Sequence, residues 1–186
     1  MGKKHTGIYQ QWIAEQFNLD PGWDKVVTNI LTATGEIDDN RAGLFYISRA
    51  PQKPGEGFWI RATENSAEMI AQVFMGSRIQ CARCHNHPSE RTTQDDYYRF
   101  AALWHQVTGK GGPGPVPETL SGTGNGDLRH LRTGEVVNPQ PLDRVPLTFE
   151  KSEDRRVKAA AWIVKQDDFS RAIINRLWAR SFGVGL

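Results

Sequence analysis

The amino-acid sequence predicts a mainly α domain, an irregular arrangement of helices with long loops rich in glycine and proline and one small β-hairpin. Apolar residues recur at the three- and four-residue spacing of helices in several segments. Glycine and proline are concentrated between those segments, where they predict loops. The chain has 186 residues, of which 38% are hydrophobic and 24% charged, a balance typical of a globular domain. We therefore expect a single domain over residues 1–186.

The first two helices are predicted from apolar periodicity. Apolar residues at helical spacing over residues 8–17 predict the first helix. A second helix is predicted to begin near Pro21, because four apolar residues follow it at helical spacing, and to end around Gly35. Both apolar faces are expected to lie in the core.

The middle of the chain is predicted to hold a long loop and then a third helix. Residues 36–62 predict a loop with one short strand, since proline and glycine surround short apolar patches at 44–47 and 58–60. Thr63 offers an N-cap for the third helix, whose apolar positions continue until Gly76. The cysteines of the chain follow directly after this helix.

Three further helices are predicted in the second half. One begins at Thr93. Residues 109–126 are rich in glycine and proline and predict a flexible surface loop, and residues 128–137 predict a small hairpin around a Thr-Gly turn. Helical spacing returns over residues 154–165 and 169–182.

A C-x-x-C-H sequence carries the chemistry of this chain. It uses both cysteines, Cys81 and Cys84, and ends in His85, which is the spacing needed for covalent attachment of haem as in c-type cytochromes. The two thiols would each add to a vinyl group of the porphyrin, and the imidazole would be the proximal iron ligand. The motif therefore predicts a haem c site, which we expect to pack between the helices before and after it.

The same residues allow other interpretations. Cys81 and Cys84 with His85 or His87 could bind zinc, with His105, His130 or an acidic side chain as the fourth ligand. A dithiol redox pair is less favoured, because it requires a strand before the motif and the sequence there predicts a helix. The remaining interpretation is that both thiols are buried and have no functional role.

Charge and hydropathy limit the remaining function classes. A net charge of +2, without a basic block interleaved with aromatics, does not indicate nucleic-acid binding. No apolar run approaches the length of a membrane span, and residues 1–7 contain no apolar segment of a signal peptide. Because haem attachment normally takes place outside the cytoplasm, we expect a periplasmic or cell-surface protein whose export signal has been removed or lies outside this chain.

Three sequence blocks resemble a known family. They are MGSRIQCARCHNHP at residues 75–88, TQDDYY at 93–98, and NRLWA with FGVGL between 175 and 186. Their order and separation resemble those of the large planctomycete cytochrome-associated PSCyt and PSD surface proteins. The resemblance spans nearly the whole chain and implies an exported haem protein that belongs to a longer polypeptide with neighbouring domains; the biochemical role of that family is not established.

The chain departs from this family at residues 89–92. Family members have a Phe-Asp-Arg-Trp-like tetrapeptide there, whereas this chain has Ser-Glu-Arg-Thr. An aromatic side chain that would cover the edge of the cofactor is therefore missing.

We expect the function to be extracytoplasmic one-electron transfer with a redox partner protein. His105 is the candidate for the distal iron ligand. His87 is too close in sequence to His85 to reach the opposite face of the ring, so it would bond a propionate or the proximal imidazole, and Arg176 would pair with a propionate. An open distal site would instead give a peroxidase-like enzyme or a ligand sensor, and zinc would give an interaction module.

Overall fold

Seven α-helices and three short β-strands form the regular structure of the described residues, which in this computed structural model are 3–49, 58–111, 117–123 and 126–186. This mainly helical composition confirms the predicted fold class. The helices are α1 (Lys3–Leu19), α2 (Trp23–Thr32), α3 (Leu44–Arg49), α4 (Phe58–Phe74), α5 (Gln94–Ala102), α6 (Arg155–Ile163) and α7 (Asp167–Phe182). The strands are β1 (Gly35–Glu36), β2 (Thr108–Lys110) and β3 (Thr119–Ser121).

The start of α5 shows how local sequence sets a helix boundary. Thr93 is the N-cap, and its hydroxyl accepts a hydrogen bond from the backbone N–H of Asp96 at 3.2 Å. The Asp96 carboxylate in turn accepts the backbone N–H of Thr93 at 2.9 Å, which completes a capping box. At α6 the Asp154 side chain accepts the backbone N–H of Arg156 in the same role.

Two predictions for the middle of the chain are wrong. The patch at 44–47 forms α3 and not a strand, and all four of its side chains are buried. A short apolar run that is buried on every side has no period that distinguishes a strand from a helix. The patch at 58–60 belongs to α4, so Thr63 lies inside this helix, 1% exposed, and is not its N-cap. Residues 50–57 of the predicted loop lie outside the described residues.

A small antiparallel sheet replaces part of the predicted loop over residues 109–126. Its strand order is β1-β3-β2, and Leu120 in β3 pairs with Gly35 on one side and Gly109 on the other. Strands of two or three residues carry too little alternation to be read from sequence. Residues 112–116 and 124–125 lie outside the described residues. The predicted hairpin at 128–137 is present as an antiparallel bridge between Arg129 and Val136.

The hydrophobic core joins helices that are distant in sequence. Helix α2 packs against α6, and α4 packs against α3, α5 and α7. Arg156 of α6 is 1% exposed, and its guanidinium donates to the carbonyl of Ala33 at 2.9 Å and pairs with Asp154 at 2.6 Å. Its guanidinium carbon also lies 5.4 Å from the centre of the buried Tyr46 ring, where burial raises the pKa of the phenol to about 12. This cation thus connects the end of α2, α3 and α6.

Among the helices of the described residues, none combines the length and apolarity needed to cross a bilayer.

Candidate functional site

The C-x-x-C-H motif lies on a 3₁₀ turn, Gln80–Arg83, between α4 and α5. Residues three apart eclipse each other on such a turn, so Cys81 and Cys84 share one side of it. Both cysteines are free and exposed. Ile79 and Ala82 have the same spacing but are fully buried, and they fix the opposite side of the turn in the core. The sequence therefore presents two thiols together at the surface.

The proximal histidine predicted from sequence has a defined tautomer. The Nδ1 atom of His85 lies 2.7 Å from the backbone carbonyl oxygen of Asn86. A carbonyl oxygen only accepts hydrogen bonds, so Nδ1 carries the proton and the lone pair of the neutral ring is on Nε2. The ring is exposed. This donor set, two free thiols beside an imidazole with Nε2 available, fits covalent haem with His85 as iron ligand.

His87 has the opposite tautomer. Its Nδ1 atom accepts the backbone N–H groups of Ser89 at 3.3 Å and Glu90 at 3.0 Å, which places the proton of the neutral ring on Nε2. The backbone N–H of His87 also donates to the carbonyl of Thr92 at 2.9 Å. Binding of a metal by Nε2 would require a proton on Nδ1, where two donors already point. His87 thus closes the loop after the motif, and its Nε2–H is available as a donor.

The first two turns of α5 hold the motif in place. Gln94 donates from its backbone N–H to the Asn86 side-chain oxygen and from its amide Nε2 to the carbonyl of Arg83, each at 3.0 Å. The Tyr98 hydroxyl donates to the same Arg83 carbonyl at 3.3 Å. The chain segment that bears both cysteines is therefore fixed by a rigid helix end.

A partly buried charged network lies beneath the motif. The Arg83 guanidinium pairs with Glu64 at 2.5 Å, and the Tyr97 hydroxyl donates to Glu68 at 2.9 Å. Burial raises the pKa of Glu64, although Arg83 opposes the shift. Burial and the nearby carboxylates Glu68 and Glu64 also raise the pKa of Tyr97. These contacts join α4 directly to α5 and to the motif.

Neither glutamate of this network was predicted from the sequence as a site residue. Glu64 and Glu68 are four residues apart and so lie on one face of α4, among the apolar positions that identify the helix. A carboxylate pair on the buried face of a helix is the signal that indicates a cationic partner.

The two remaining predicted site residues lie at different distances from the motif. His105 is 6% exposed and lies three residues beyond the last residue of α5, whereas the residues of α5 that contact the motif, Gln94 and Tyr98, lie in its first two turns. Burial and Arg155 lower the pKa of its imidazole, while Asp127 opposes this shift. Arg176 of α7 donates to the carbonyl of Gln72 at 3.3 Å, and the Gln72 side chain accepts from Gln80, which precedes Cys81. The structure brings Arg176 near the motif and does not bring His105 there.

Within residues 3–49, 58–111, 117–123 and 126–186, no group of three or more His, Cys, Asp or Glu side chains is arranged to hold a metal ion. Helices α4 and α5 are in direct contact through the hydrogen bond between Tyr97 and Glu68. The packing of a haem ring between these helices stays a prediction.

A comparison with protein families gives a match over residues 2–109, to PSCyt2, described as a protein of unknown function (DUF1549). The chain belongs to the PSCyt2 family. The matched region of PSCyt2 includes α1 to α5 and the C-x-x-C-H motif, and it ends inside β2. The block at residues 175–186 lies beyond the matched region, so its resemblance to the PSCyt and PSD proteins stays a prediction. No curated protein and no solved structure matches the chain.

Proposed function

We propose that this PSCyt2 protein is an extracytoplasmic c-type haem protein that transfers single electrons to a redox partner. Cys81 and Cys84 are the thioether anchors, and His85 is the proximal iron ligand. The observation that carries the proposal is the hydrogen bond from His85 Nδ1 to the Asn86 carbonyl, because it leaves Nε2 as the ligating atom of an exposed ring. A bound haem supplies the Fe(III)/Fe(II) couple for the transfer.

The residues around the motif orient and tune this site. Gln94 and Tyr98 hold the Arg83 carbonyl, which fixes the turn that bears the thiols. Arg83 is paired with Glu64, so its positive charge is largely compensated near the iron site. The Nε2–H of His87 and the guanidinium of Arg176 are the proposed donors to propionate groups. Because both cysteines of the motif are exposed, a haem attached to them would be accessible to a redox partner.

Expression with and without cytochrome c maturation tests the proposal. The full chain is exported to the periplasm of a host that attaches haem to C-x-x-C-H motifs, and the purified protein is denatured and extracted with acidic acetone. We expect a red protein that keeps its haem after extraction. The double variant Cys81→Ala/Cys84→Ala should carry no covalent haem, whereas the matched variant His87→Ala should keep it.

Three results would contradict the proposal. A colourless wild-type protein containing one equivalent of zinc would show that the motif holds a metal ion instead of haem. Retention of covalent haem by the double cysteine variant would refute the thioether anchors. A rapid spectral change on addition of cyanide or imidazole would show that the haem has an open distal site. The protein would then be a haem enzyme or a ligand sensor and not a simple electron carrier.

A further inference from the structure

A polar cleft lies on the other side of Tyr98 from the haem motif. It has a volume of about 340 Å³, within the range of small-molecule sites, and lies between the first turns of α5 and the 128–137 hairpin. The polar side chains that line it include Asp95, Arg99, His130, Arg132, Glu135 and Asn138. None of these residues belongs to the proposed haem site.

His130 provides a buried hydrogen-bond donor in this cleft. It is 6% exposed, and its ring lies 4.6 Å from the Tyr98 ring, centre to centre. Its Nδ1 accepts the backbone N–H of Arg132 at 3.2 Å, so the proton of the neutral ring is on Nε2. Asp95 Oδ1 lies 3.1 Å from Nε2, but Nε2 forms no hydrogen bond of acceptable geometry with it or with any other described atom. A buried N–H group without a hydrogen-bond acceptor is rare in proteins, so we expect a bound ligand to supply the acceptor.

Two guanidinium groups in the cleft have no carboxylate partner. Arg99 donates to the neutral side chain of Gln140 at 2.8 Å, and neither Arg99 nor Arg132 forms an ion pair with any side chain in the described ranges. Each fork matches the planar geometry of a carboxylate. The cleft therefore offers one buried N–H and two cationic forks to an anionic group.

The acidic residues of the cleft restrict which anion fits. The carboxylates of Asp95 and Glu135 line the same space and would repel the second charge of a phosphate. They would accept hydrogen bonds from a hydroxyl or ammonium group on the ligand. We propose that this cleft binds a small organic acid whose single carboxylate lies next to a hydroxyl or amino group, as in a 2-hydroxy acid or an α-amino acid.

The hairpin holds these groups in place without a ligand. The backbone N–H of His130 donates to the carbonyl of Glu135 at 2.9 Å, and that of Gly134 donates to the carbonyl of His130 at 2.8 Å. The guanidinium of Arg129 also donates to the carbonyl of Gly134 at 2.9 Å. A site on such a fixed turn loses little conformational entropy when it binds a ligand.

Chemical-shift titration of the ¹⁵N-labelled full chain tests the proposal. The probes are lactate, alanine and propionate, with alaninamide as the control that lacks a carboxylate, all at one ionic strength held with sodium chloride. We expect saturable shifts of the amides around residues 95–99 and 130–136 with lactate or alanine. Propionate should bind more weakly, and alaninamide should give no saturable shift at these positions.

Three variants locate the site. Arg132→Gln and Arg99→Gln should each raise the dissociation constant about tenfold, because each removes one charge-assisted hydrogen bond. Arg180→Gln, which removes an exposed guanidinium from α7, should leave it unchanged. The proposal is overturned if no carboxylate probe saturates, if alaninamide produces the same shifts, if propionate binds as tightly as lactate and alanine, or if Arg180→Gln weakens binding equally.

Discussion

At the scale of single residues, hydrogen bonds to carbonyl and amide groups decide the chemistry of the histidines. His85 and His87 are two positions apart, yet their Nδ1 atoms face a carbonyl oxygen and two N–H groups respectively. The two rings therefore offer different atoms to a ligand. Sequence spacing identified His85 and could not show this difference, because it arises from the path of the loop.

Asp96 combines two stabilising roles in one carboxylate. It closes the capping box with Thr93 and accepts from the guanidinium of Arg144 at 2.8 and 2.9 Å. Burial favours a higher pKa for this group, but the hydrogen bonds from Arg144 and Thr93 outweigh it and hold the pKa below its ordinary value.

We predict that Asp96→Ala lowers the free energy of unfolding by about 1–2 kcal/mol at pH 7. Because the pKa is depressed in the folded state, the contribution of Asp96 is present at neutral pH and is lost as the pH falls through that depressed value. Urea unfolding at several pH values should show that the difference in the free energy of unfolding between Asp96→Ala and the wild type becomes smaller as the pH falls. Asp167→Ala, which removes an exposed carboxylate from the first turn of α7, is the control; an equal loss there would contradict the assignment to the capping box.

The Arg83–Glu64 pair gives a second prediction. Arg83→Met leaves a buried carboxylate without its cation and should lower the free energy of unfolding by about 2 kcal/mol at pH 7, less than for a fully buried pair because Arg83 is 35% exposed. Since burial already raises the pKa of Glu64, this loss should be smaller at pH 5, where the carboxyl binds a proton more readily. Urea unfolding at both pH values measures it. The double variant Arg83→Met/Glu64→Gln should recover most of the loss, and no recovery would mean that Arg83 acts through other contacts.

At the scale of elements, the sequence predicted those helices whose apolar residues recur with helical period. Helices α1, α2, α5, α6 and α7 lie close to their predicted positions, because their apolar stripes have helical period and several have recognisable caps. Helix α3 lies in a segment that was predicted as a loop with one short strand, because its apolar run at 44–47 is short and every residue of that run is buried. The strands were missed because each has only two or three residues, too few to show an alternating pattern. In addition, β1 pairs with β3 across about 85 residues, and no local pattern encodes that contact.

The candidate site was predictable to a similar extent. Cys81, Cys84 and His85 are adjacent in sequence, so their spacing alone identified them. The groups that fix them, Glu64 and Gln94, come from α4 and α5 and become neighbours only when these helices pack. Local sequence indicates that Glu64 needs a cationic partner, but it does not identify Arg83 as that partner.

Gly122, directly after β3, is predicted to tolerate no side chain. A Cβ atom there would overlap the Asp154 carboxylate and the guanidinium of Arg156, which are held by each other and by the Ala33 carbonyl. Gly122→Ala should therefore lower the free energy of unfolding by about 2–4 kcal/mol, because it separates a buried ion pair. Thermal and urea unfolding provide the measurement.

Gly126→Ala is the matched control for this substitution. A Cβ atom at Gly126 has no neighbour within 4 Å, so the change should alter stability by less than about 0.5 kcal/mol. Similar losses in the two variants would show that glycine matters here for backbone freedom and not for space beside the ion pair.

At the scale of the whole molecule, the core is not confined to the region that defines the family. The PSCyt2 match ends at residue 109, yet α6 packs against α2 and Arg156 reaches the end of α2. The buried face of α2, which includes Val26, Val27, Ile30 and Leu31, thus depends on residues outside the match.

We predict that residues 1–109 alone do not fold cooperatively. Without α6 they expose the apolar face of α2, which is buried almost completely in the full chain. Urea unfolding followed by circular dichroism should show a broad transition for this fragment and a sharp one for the full chain. A longer fragment, 1–170, which keeps α6, should regain a sharp transition. A sharp transition of the 1–109 fragment at the wild-type midpoint would contradict this view of the core.

The packing of α2 on α6 also has a consequence for biosynthesis. About 120 residues separate the two helices, and a ribosome adds residues at roughly 5–20 per second, so α2 waits for about 6–25 s before its partner has been made. During that interval the nascent chain carries an uncovered apolar stripe. We therefore expect this stripe to need shielding, as by a chaperone, until α6 has been made, because exposed apolar surface promotes aggregation.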